Sequence, residues 1–472
     1  MKYLSTRGGG PVCNTTCSIA GRAAVDFETA VLTGLARDGG LFLPASIPDV
    51  RADLSAWAGL DYGALALEII RHFTDLPADD LQKMIDDSYA TFRHPDVTPV
   101  VAVNGIHILE LFHGPTLAFK DVALQFLGRV FEYYLAHSGR RLNILAATSG
   151  DTGSAAIAGV RGRSGLRIFV LYPHGRISPA QERQMTTVPD DNVFCLAVRG
   201  SFDDCQSIVK TLFRDLPFRD RYELGAVNSI NWARLLAQIV YYFYGTFRVM
   251  AQTGARAVRI AVPTGNFGDI FAGYLATRMG LPVSRLILAT NENDILARFF
   301  NTGVYQRGTV QATLSPSMDI QVASNFERYL YYRVNRDPRE VCRLMEAFAQ
   351  SGQLRLDRAR SAGVDPLFAA GTCATADALA TIREFYGQHG YLLDPHSAVG
   401  VQVGRQFLSP DEPMLALATA HPAKFADAIR QATGQDIAHH PMLDALANLP
   451  QRRTVLPADA QAVRAFLREH IP

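Results

Sequence analysis

The sequence has almost no net charge, since 46 lysine and arginine residues nearly balance 45 aspartate and glutamate residues. A chain without an excess of either sign lacks the electrostatic field that attracts nucleic acid or an anionic membrane surface. It also contains no apolar run of the length that a membrane-spanning helix needs. We therefore expect neither nucleic acid nor a membrane as a partner.

Lysine is also scarce. Only five of the basic residues are lysines: Lys2, Lys83, Lys120, Lys210 and Lys424. Arginine fills almost every routine surface position, but arginine cannot form an imine. Each remaining lysine is therefore a candidate for amine chemistry, although Lys2, Lys83 and Lys210 are equally compatible with ordinary surface positions.

Cysteine forms no recognisable metal-binding motif. The six cysteines (Cys13, Cys17, Cys195, Cys205, Cys342 and Cys373) are scattered, with no Cys-x-x-Cys or His-Glu-x-x-His spacing. Reduced, mostly buried thiols are the favoured interpretation, and a loop disulfide or metal site at Cys13 and Cys17 is left open. The N-terminal residues lack the apolar stretch and cleavage site of a secretion signal. We predict no bound metal and a cytoplasmic location.

The order of predicted elements favours two α/β domains behind a helical N-terminal one. A chain of 472 residues exceeds the usual size of one hydrophobic core. Apolar positions have helical spacing up to about residue 95, and short apolar runs followed by a loop and a helix come after it. Such alternation indicates parallel sheets. We predict domains at residues 1–98, 99–250 and 251–472, of which the last two can interleave, with a cleft between them.

Two loops of small residues each lie between a predicted strand and a predicted helix. Gly265-Asn266-Phe267-Gly268-Asp269 leaves backbone amides open to a phosphate at a helix start. Thr148-Ser149-Gly150-Asp151-Thr152-Gly153 offers hydroxyls and amides to a carboxylate. Each loop could instead be a tight turn or a simple helix cap. Neither has the spacing of a dinucleotide-binding or Walker motif.

Lys120 begins a mostly apolar predicted helix, after the segment His113-Gly114-Pro115-Thr116-Leu117-Ala118-Phe119. Burial of an amine lowers its pKa and frees its lone pair, as an imine-forming lysine requires. The alternative is a lysine that extends from a helix start into solvent, beside Asp121 as an ordinary first-turn acid.

Two further segments place polar groups beside the predicted cleft. A long helix from residue 231 carries Arg234 on a polar stripe, and together with Ser229 and Asn231 this arginine could hold a phosphate. A capped helix with a solvated arginine is the alternative. The predicted strand Met414–Ala418 ends at Thr419, in the crevice where α/β sheets bind ligands. For His421 and Lys424 a structural role is favoured.

In their order along the chain, these segments resemble the threonine synthases, a family of fold-type II pyridoxal 5′-phosphate (PLP) enzymes, in the longer form with an N-terminal domain. The resemblance covers most of the chain and rests on the lysine segment, both loops and residues 3–7, 34–42, 228–238 and 419–425. It implies two parallel-sheet domains of the tryptophan synthase β kind, with PLP as cofactor. The implied reaction converts O-phospho-L-homoserine and water into L-threonine and phosphate, by a monomer or homodimer.

The resemblance also implies how the cofactor is held. Lys120 would join it as an imine, Thr419 would face its pyridine nitrogen, and residues 265–269 would hold its phosphate. Many relatives have an asparagine at the position of Asp151, where it contacts the 3′-oxygen of the cofactor. A role of Asp151 in cofactor binding is therefore an expectation with an open mechanism.

The implied substrate contacts fall into two groups. The substrate carboxylate would be held by Thr148, Ser149 and Thr152. The substrate phosphate would be held by Ser229, Asn231 and Arg234, with Asn266 as a further candidate. A dehydratase or phospholyase of the same fold would share Lys120 and both loops, whereas a nucleotide-binding regulatory protein would lack the cofactor.

We expect Lys120→Ala to abolish both the visible absorbance of the bound cofactor and the activity while leaving the fold intact, because no other group supplies the imine nitrogen. Absorbance and circular dichroism of the purified variant measure the two effects, and Lys83→Ala is the control. Turnover that survives without Lys120 would point to Lys424 instead.

Overall fold

The computed structural model describes residues 1–9, 24–356 and 363–471 of the chain. Cys13 and Cys17, whose pairing the sequence leaves open, lie outside these residues. The other four cysteines are buried, as expected. Within the described residues, no helix combines the length and apolar character that a membrane crossing requires.

The N-terminal part of the chain forms a two-stranded antiparallel sheet and four helices. Asp26 and Asp61 accept backbone hydrogen bonds at the starts of the first and third of these helices, where amides have no partner inside the helix. The elements are β1 (Tyr3–Ser5), α1 (Phe27–Thr33), β2 (Phe42–Pro44), α2 (Leu54–Trp57), α3 (Tyr62–Ile70) and α4 (Ala78–Tyr89).

The middle of the chain alternates strands with helices. Its strands are mostly buried apolar runs, which is typical of parallel strands covered on both faces. The elements are β3 (Val100–Val103), β4 (Ile106–Glu110), α5 (Lys120–Ser138), β5 (Leu142–Ala147), α6 (Asp151–Val160), β6 (Leu166–Pro173), α7 (Pro179–Thr186), β7 (Val193–Arg199), α8 (Phe202–Arg214), α9 (Leu216–Arg221), β8 (Leu224–Gly225) and α10 (Trp232–Thr253).

The last part repeats this alternation and adds short 3₁₀ turns at Pro316–Met318, Pro422–Phe425 and Ala445–Asn448. The elements are β9 (Val258–Pro263), α11 (Gly268–Met279), β10 (Val283–Thr290), α12 (Ile295–Thr302), β11 (Val304–Gln306), α13 (Phe326–Arg333), α14 (Pro338–Ser351), β12 (Gln353–Arg355), β13 (Phe368–Thr372), α15 (Thr375–His389), α16 (Pro395–Arg405), β14 (Met414–Ala418), α17 (Ala426–Thr433), α18 (Pro441–Asp444), β15 (Thr454–Pro457) and α19 (Ala460–His470).

Two larger sheets carry the fold. The six-stranded sheet has the order β13-β10-β9-β14-β4-β3 and is parallel except for β3. The five-stranded sheet has the order β15-β7-β6-β5-β8 and is parallel throughout. The predicted α/β fold with two parallel sheets and an N-terminal domain is confirmed. Because β3 and β4 join the first sheet and β15 the second, the two α/β regions exchange strands, and boundaries at 98 and 250 stay a prediction.

Helix α10 lies at the centre of the molecule, buried along almost its whole length. It packs against α3, α5 and α11 and therefore touches the N-terminal helices and both α/β regions. The helix is capped at its start by Asn231, which accepts a hydrogen bond from the Ala233 amide at 3.1 Å, and ends at Gly254 in a left-handed conformation.

Helices α5 and α6 pack with their backbones in contact. A Cβ atom on Gly128 would lie 1.9 Å from the carbonyl oxygen of Gly159, and one on Gly159 would lie 2.3 Å from that of Leu124. Only glycine therefore permits this approach at either position. Since α5 begins at Lys120 and α6 at Asp151, this contact sets the separation of those two residues.

We expect Gly128→Ala to lower the thermal midpoint, because the added methyl group forces α5 and α6 apart at a cost of about 1–3 kcal/mol. Gly387→Ala is the matched control: it also lies in a helix, but its Cβ would meet nothing within 4 Å. That control should raise the midpoint slightly, since alanine is the better helix former. Equal effects of the two variants would contradict the close contact.

Candidate active site

The segment that precedes Lys120 runs alongside the segment that follows β14. The Phe119 amide donates to the Thr419 carbonyl at 2.8 Å, and the His421 amide donates to the Leu117 carbonyl at 3.0 Å. Ala118 and Ala420 form an isolated β-bridge between these bonds. Lys120 and Thr419 are 299 positions apart in the sequence. They are nevertheless neighbours at the carboxyl end of β14, an interior strand of the six-stranded sheet.

The amine of Lys120 is enclosed, and the residue is only 8% exposed. Its Nζ donates to Ser317 Oγ at 3.3 Å and lies 3.6 Å from Asp151 Oδ2. Burial lowers the pKa of Lys120 to about 8, although the Asp151 carboxylate opposes the shift. The sequence expectation of a desolvated amine agrees with this geometry, and a lysine extending into solvent does not.

Asp151 is held between two buried lysines. Its Oδ1 lies 2.8 Å from Lys424 Nζ and also accepts from Gln181 Nε2 at 2.9 Å. Burial alone would raise the pKa of this carboxyl, but the charges of Lys424 and Lys120 hold it well below its usual range. The carboxylate therefore stays ionised. Lys424, which the sequence left ambiguous, is buried and also donates to the Thr116 carbonyl at 2.8 Å.

The loop of residues 265–269 presents open backbone amides. None of the amides from Gly265 to Asp269 donates a hydrogen bond within the described part of the chain. Phe267, at the N-cap of α11, is left-handed with φ of 63°. A Cβ on Gly265 would lie 2.5 Å from the Ser317 carbonyl oxygen, so a side chain is excluded there. Free amides at the start of a twelve-residue helix suit a phosphate.

Two side chains of this loop point away from such a ligand. The Phe267 ring is buried among the rings of Phe300, Phe326 and Phe368. Asp269 accepts from the hydroxyls of two tyrosines of α10, Tyr241 at 2.6 Å and Tyr242 at 2.8 Å. Their contribution to ligand binding is therefore through the backbone.

The carboxyl of Asp269 connects the loop to helix α10. Burial raises its pKa to about 6, against the effect of the two tyrosine hydroxyls. Its Oδ2 has no hydrogen-bond partner among the described residues. Through its hydrogen bond to this carboxyl, Tyr241 of α10 anchors the start of α11.

The conformation of the loop of residues 148–153 is fixed by hydrogen bonds to the side chain of its first residue, Thr148. Thr148 Oγ1 accepts from the amides of Gly150 at 3.0 Å and Gly153 at 2.8 Å. The amides of Ser149, Asp151 and Thr152 have no acceptor within the described chain, and the side chains of Ser149 and Thr152 are partly exposed. Thr148 thus shapes the loop, while the free amides and the other two hydroxyls are available to an anion.

Among the residues that the structure describes, Arg234 has no carboxylate partner. The residue is 4% exposed, and its one hydrogen bond to these residues runs from Nη1 to the Val227 carbonyl at 3.1 Å. Its Nε is buried with no partner in the same part of the chain, and burial lowers the pKa of Arg234 to about 10. A buried guanidinium in this state is costly unless an anion binds it. The alternative of a solvated arginine face is wrong.

The two other candidate residues at the start of α10, Ser229 and Asn231, have different hydrogen-bond partners. Ser229 Oγ lies 2.8 Å from Ser324 Oγ, which in turn donates to Asn266 Oδ1 at 3.2 Å. The Asn231 side chain caps α10 with its oxygen and donates through Nδ2 to the Val31 carbonyl at 2.8 Å. Ser229 and Asn266 therefore meet at one place, whereas Asn231 is engaged in holding the helix to the N-terminal domain.

Sequence reasoning missed the segment of residues 315–328. It contributes Ser317 to the Lys120 amine and Ser324 to the Ser229 and Asn266 cluster. Asn325 donates to the carbonyls of Ser229 and Asn266, at 3.1 and 3.2 Å, and thereby joins the start of α10 to the glycine loop. Three serines and one asparagine mark this stretch as polar, but nothing in its local sequence indicates their distant partners.

No group of histidine, cysteine, aspartate or glutamate side chains in the described ranges has the arrangement of a metal site. The positively charged side chains of this site are Lys120, Lys424 and Arg234. The charges of Lys424 and Arg234 both lower the pKa of Lys120. Of these, Arg234 has no acidic partner within residues 1–9, 24–356 and 363–471, so the site is complementary to anions.

Three family models match consecutive parts of the chain. The model for the threonine synthase N terminus matches residues 2–89, and that for the threonine synthase C-terminal region matches residues 397–467. Between them, a model for pyridoxal-phosphate dependent enzymes matches residues 92–365, which is more than half of the chain.

Relatives match over almost the full length. The threonine synthase of Pseudomonas aeruginosa is 46% identical over 100% of this chain and 98% of its own, and that of Saccharomyces cerevisiae is 44% identical over 99% and 94%. The PLP-bound threonine synthase structure from Brucella melitensis has a TM-score of 0.92 at 46% identity, covering 100% and 99% of the two chains. The Escherichia coli threonine synthase structure has a TM-score of 0.81 at 33% identity, covering 100% of both.

We expect Lys120→Met to raise the thermal midpoint of the cofactor-free protein at neutral pH, because burial opposes the charged amine. The folded pKa of about 8 lies below the ordinary 10.5, so the gain is about 1–3 kcal/mol. Below pH 8 the amine is protonated in both states and the cost is complete.

Between pH 8 and 10.5 the folded protein releases this proton before the unfolded chain does, so the advantage of the variant should shrink as the pH rises. Thermal melts across this range measure the trend. Lys210→Met, at an exposed position, is the control. A gain that is the same at every pH would contradict the lowered pKa.

Proposed function

The chain belongs to the threonine synthase family of PLP-dependent enzymes, and on that premise we propose which of its residues perform the reaction. The expected family, the fold-type II architecture and PLP as cofactor are confirmed. The function is that of a lyase that converts O-phospho-L-homoserine and water into L-threonine and phosphate. The roles of single residues are the proposal.

Lys120 carries the cofactor, and the loop of residues 265–269 holds the cofactor phosphate. The observation that carries this proposal is a buried amine with a lowered pKa, connected through Ser317 to a glycine loop whose amides have no acceptor. An aldehyde and a phosphate on one small molecule fit these two features. The carbonyl of Thr419 accepts from the amide of Phe119, next to the lysine, and its hydroxyl would serve as the partner of the pyridine nitrogen.

When bound, PLP supplies an electron sink that stabilises negative charge at the substrate carbon that loses a proton. The amine of Lys120 would take the proton from Cα of the substrate and, after returning it, would take one from Cβ. A pKa near 8 suits an amine that must both accept and return protons near neutral pH. Ser317 Oγ keeps this amine directed into the site.

The Asp151 carboxylate forms ion pairs with both buried lysines of the site, Lys120 and Lys424. With Lys424 fixed to its Oδ1, the carboxylate offers its other oxygen to Lys120. The 3′-oxygen of the cofactor would lie beside this cluster, close to the buried ammonium of Lys424. Many relatives have an asparagine at this position that contacts the 3′-oxygen directly. Asp151 would act indirectly, by holding Lys424 beside that oxygen.

The substrate is held at its two anionic ends. Its carboxylate binds the free amides of the loop that Thr148 shapes, together with the hydroxyls of Ser149 and Thr152. Its phosphate binds the guanidinium of Arg234, whose Nε has no partner among the described residues, with Ser229, Ser324 and Asn266 beside it. Asn231 contributes by fixing the start of α10 on which Arg234 stands.

A cytoplasmic location and a monomeric or homodimeric state belong to the same proposal. The first is supported by the four buried cysteines, since buried thiols fit a reducing compartment. The chain's own cleft supplies every residue named above, which is compatible with function as a single copy.

The direct test measures phosphate release together with threonine formation from O-phospho-L-homoserine, with and without added PLP. We expect both products in equal amounts and only with the cofactor. Conversion of threonine to 2-oxobutanoate without any threonine formed from O-phosphohomoserine would identify a dehydratase of the same fold and overturn the assignment.

We expect Arg234→Ala to raise KM for O-phospho-L-homoserine by about 10- to 150-fold, because a charge-assisted contact to the phosphate is lost. The value of kcat should fall less. Steady-state kinetics provide the measurement, and Arg256→Ala, an exposed arginine just beyond the same helix, is the matched control. An unchanged KM would remove Arg234 from the phosphate site.

A further inference from the structure

Asp394 is a buried carboxylate that no step above uses. It is 1% exposed and caps α16, accepting from the amides of His396 at 2.9 Å and Ser397 at 3.0 Å. It also accepts from the His396 ring at Nδ1, 2.8 Å away, and from the Ser397 hydroxyl. The helix caps Asp26 and Asp61 instead accept from backbone amides in exposed positions. A carboxylate gains nothing as a cap by being buried, since burial of the charge is costly.

One of these bonds determines the tautomer of His396. The Ser317 amide can only donate, and it donates to His396 Nε2 at 3.2 Å. Nε2 therefore carries no proton, and the neutral ring carries its proton on Nδ1, which donates to Asp394. The carboxylate thus selects the one ring form that can bind the Ser317 backbone. Ser317 is the residue whose hydroxyl contacts the Lys120 amine.

A second branch leads from the same carboxylate to the end of β14. Ser397 Oγ donates to Asp394 and accepts from the Thr419 amide at 3.1 Å. The two branches therefore end at Ser317, whose hydroxyl lies beside Lys120, and at Thr419, which would contact the cofactor ring. Ser317 and Thr419 lie in separate segments of the chain. Their hydrogen-bonded connections to the same buried carboxylate, Asp394, relate their positions.

We propose that Asp394 is a positioning residue that aligns Ser317, through His396, with the Lys120 amine and aligns Thr419, through Ser397, with the cofactor. The proposal rests on the role of Lys120 proposed above. A simple capping role for Asp394 would affect stability alone. A positioning role also affects the proton affinity of the Lys120 amine, because Ser317 Oγ accepts a hydrogen bond from it.

The experiment measures how fast the full-length enzyme, stripped of its cofactor with hydroxylamine, regains visible absorbance when PLP is added back at a series of pH values centred on 8. Only the unprotonated amine reacts with the aldehyde, so the midpoint of the rate profile reports the pKa of Lys120. Loss of the Ser317 acceptor destabilises the ammonium form. We expect Asp394→Asn and Ser317→Ala each to move the midpoint down by about 0.5–1 pH unit.

The double variant separates positioning from the direct effect of the lost charge. Asp394→Asn also removes a negative charge, which by itself would lower the same midpoint. If Asp394 acts through Ser317, Asp394→Asn shifts the midpoint less in the Ser317→Ala background than in the wild-type background, because only the direct effect of the lost charge remains there. An equal shift in both backgrounds, or no shift when Ser317 is present, would overturn the proposal.

Two controls complete the experiment. Asp61→Asn alters an exposed helix cap and should leave the midpoint unchanged. If Asp394→Asn does not fold, His396→Ala cuts the Ser317 branch while keeping the carboxylate, and the same comparison with Ser317→Ala applies. Absorbance that returns in Lys120→Ala would overturn the role of Lys120 itself, which is a different outcome from an unshifted midpoint in Asp394→Asn.

Discussion

The enclosed ion cluster of Asp151 with Lys120 and Lys424 is the interaction on which the candidate site depends. A lone amine so deeply buried would lose its charge, and a lone carboxylate would not remain ionised there. With Lys424 bound at 2.8 Å, Asp151 stays charged and keeps the pKa of Lys120 near 8 rather than lower. The amine can therefore exchange protons near neutral pH, which the proposed chemistry requires of it.

The backbone supports this cluster by bringing segment starts together. Glycines at 128 and 159 let α5 and α6 touch, so that Lys120 and Asp151 approach each other. The pairing of the residues before Lys120 with those after β14 adds Thr419 and Lys424 to the same place. Gly265 leaves room for the Ser317 carbonyl, so that Ser317 joins the loop of residues 265–269 to the lysine. These contacts depend on the absence of a side chain at a glycine or on hydrogen bonds to the backbone. They therefore tolerate few substitutions.

Much of the fold and part of the site could be predicted from local pattern. Buried strands followed by small-residue loops identified the parallel sheets, and the rarity of lysine drew attention to Lys120. Thr148 and Asn231 were predicted as ligand contacts, yet their side chains are engaged in shaping a loop and capping a helix. Ser317, Ser324, Asn325 and Asp394 were missed, because a polar residue in a loop or at a helix start has no local signature of its distant partner.

The sequence by itself determined which chemical groups exist: the few lysines, two loops with open amides at helix starts, and an arginine on the polar stripe of a mostly apolar helix. Their kinds and spacing follow from local backbone preference, which a short stretch of chain contains. Only the tertiary structure decided that Lys424 is buried against Asp151, that Arg234 has no acidic partner in the described part of the chain, and that Asp394 connects to both Ser317 and Thr419. Those facts depend on contacts between residues far apart in the chain, where burial and partner choice set the charge and direction of each group.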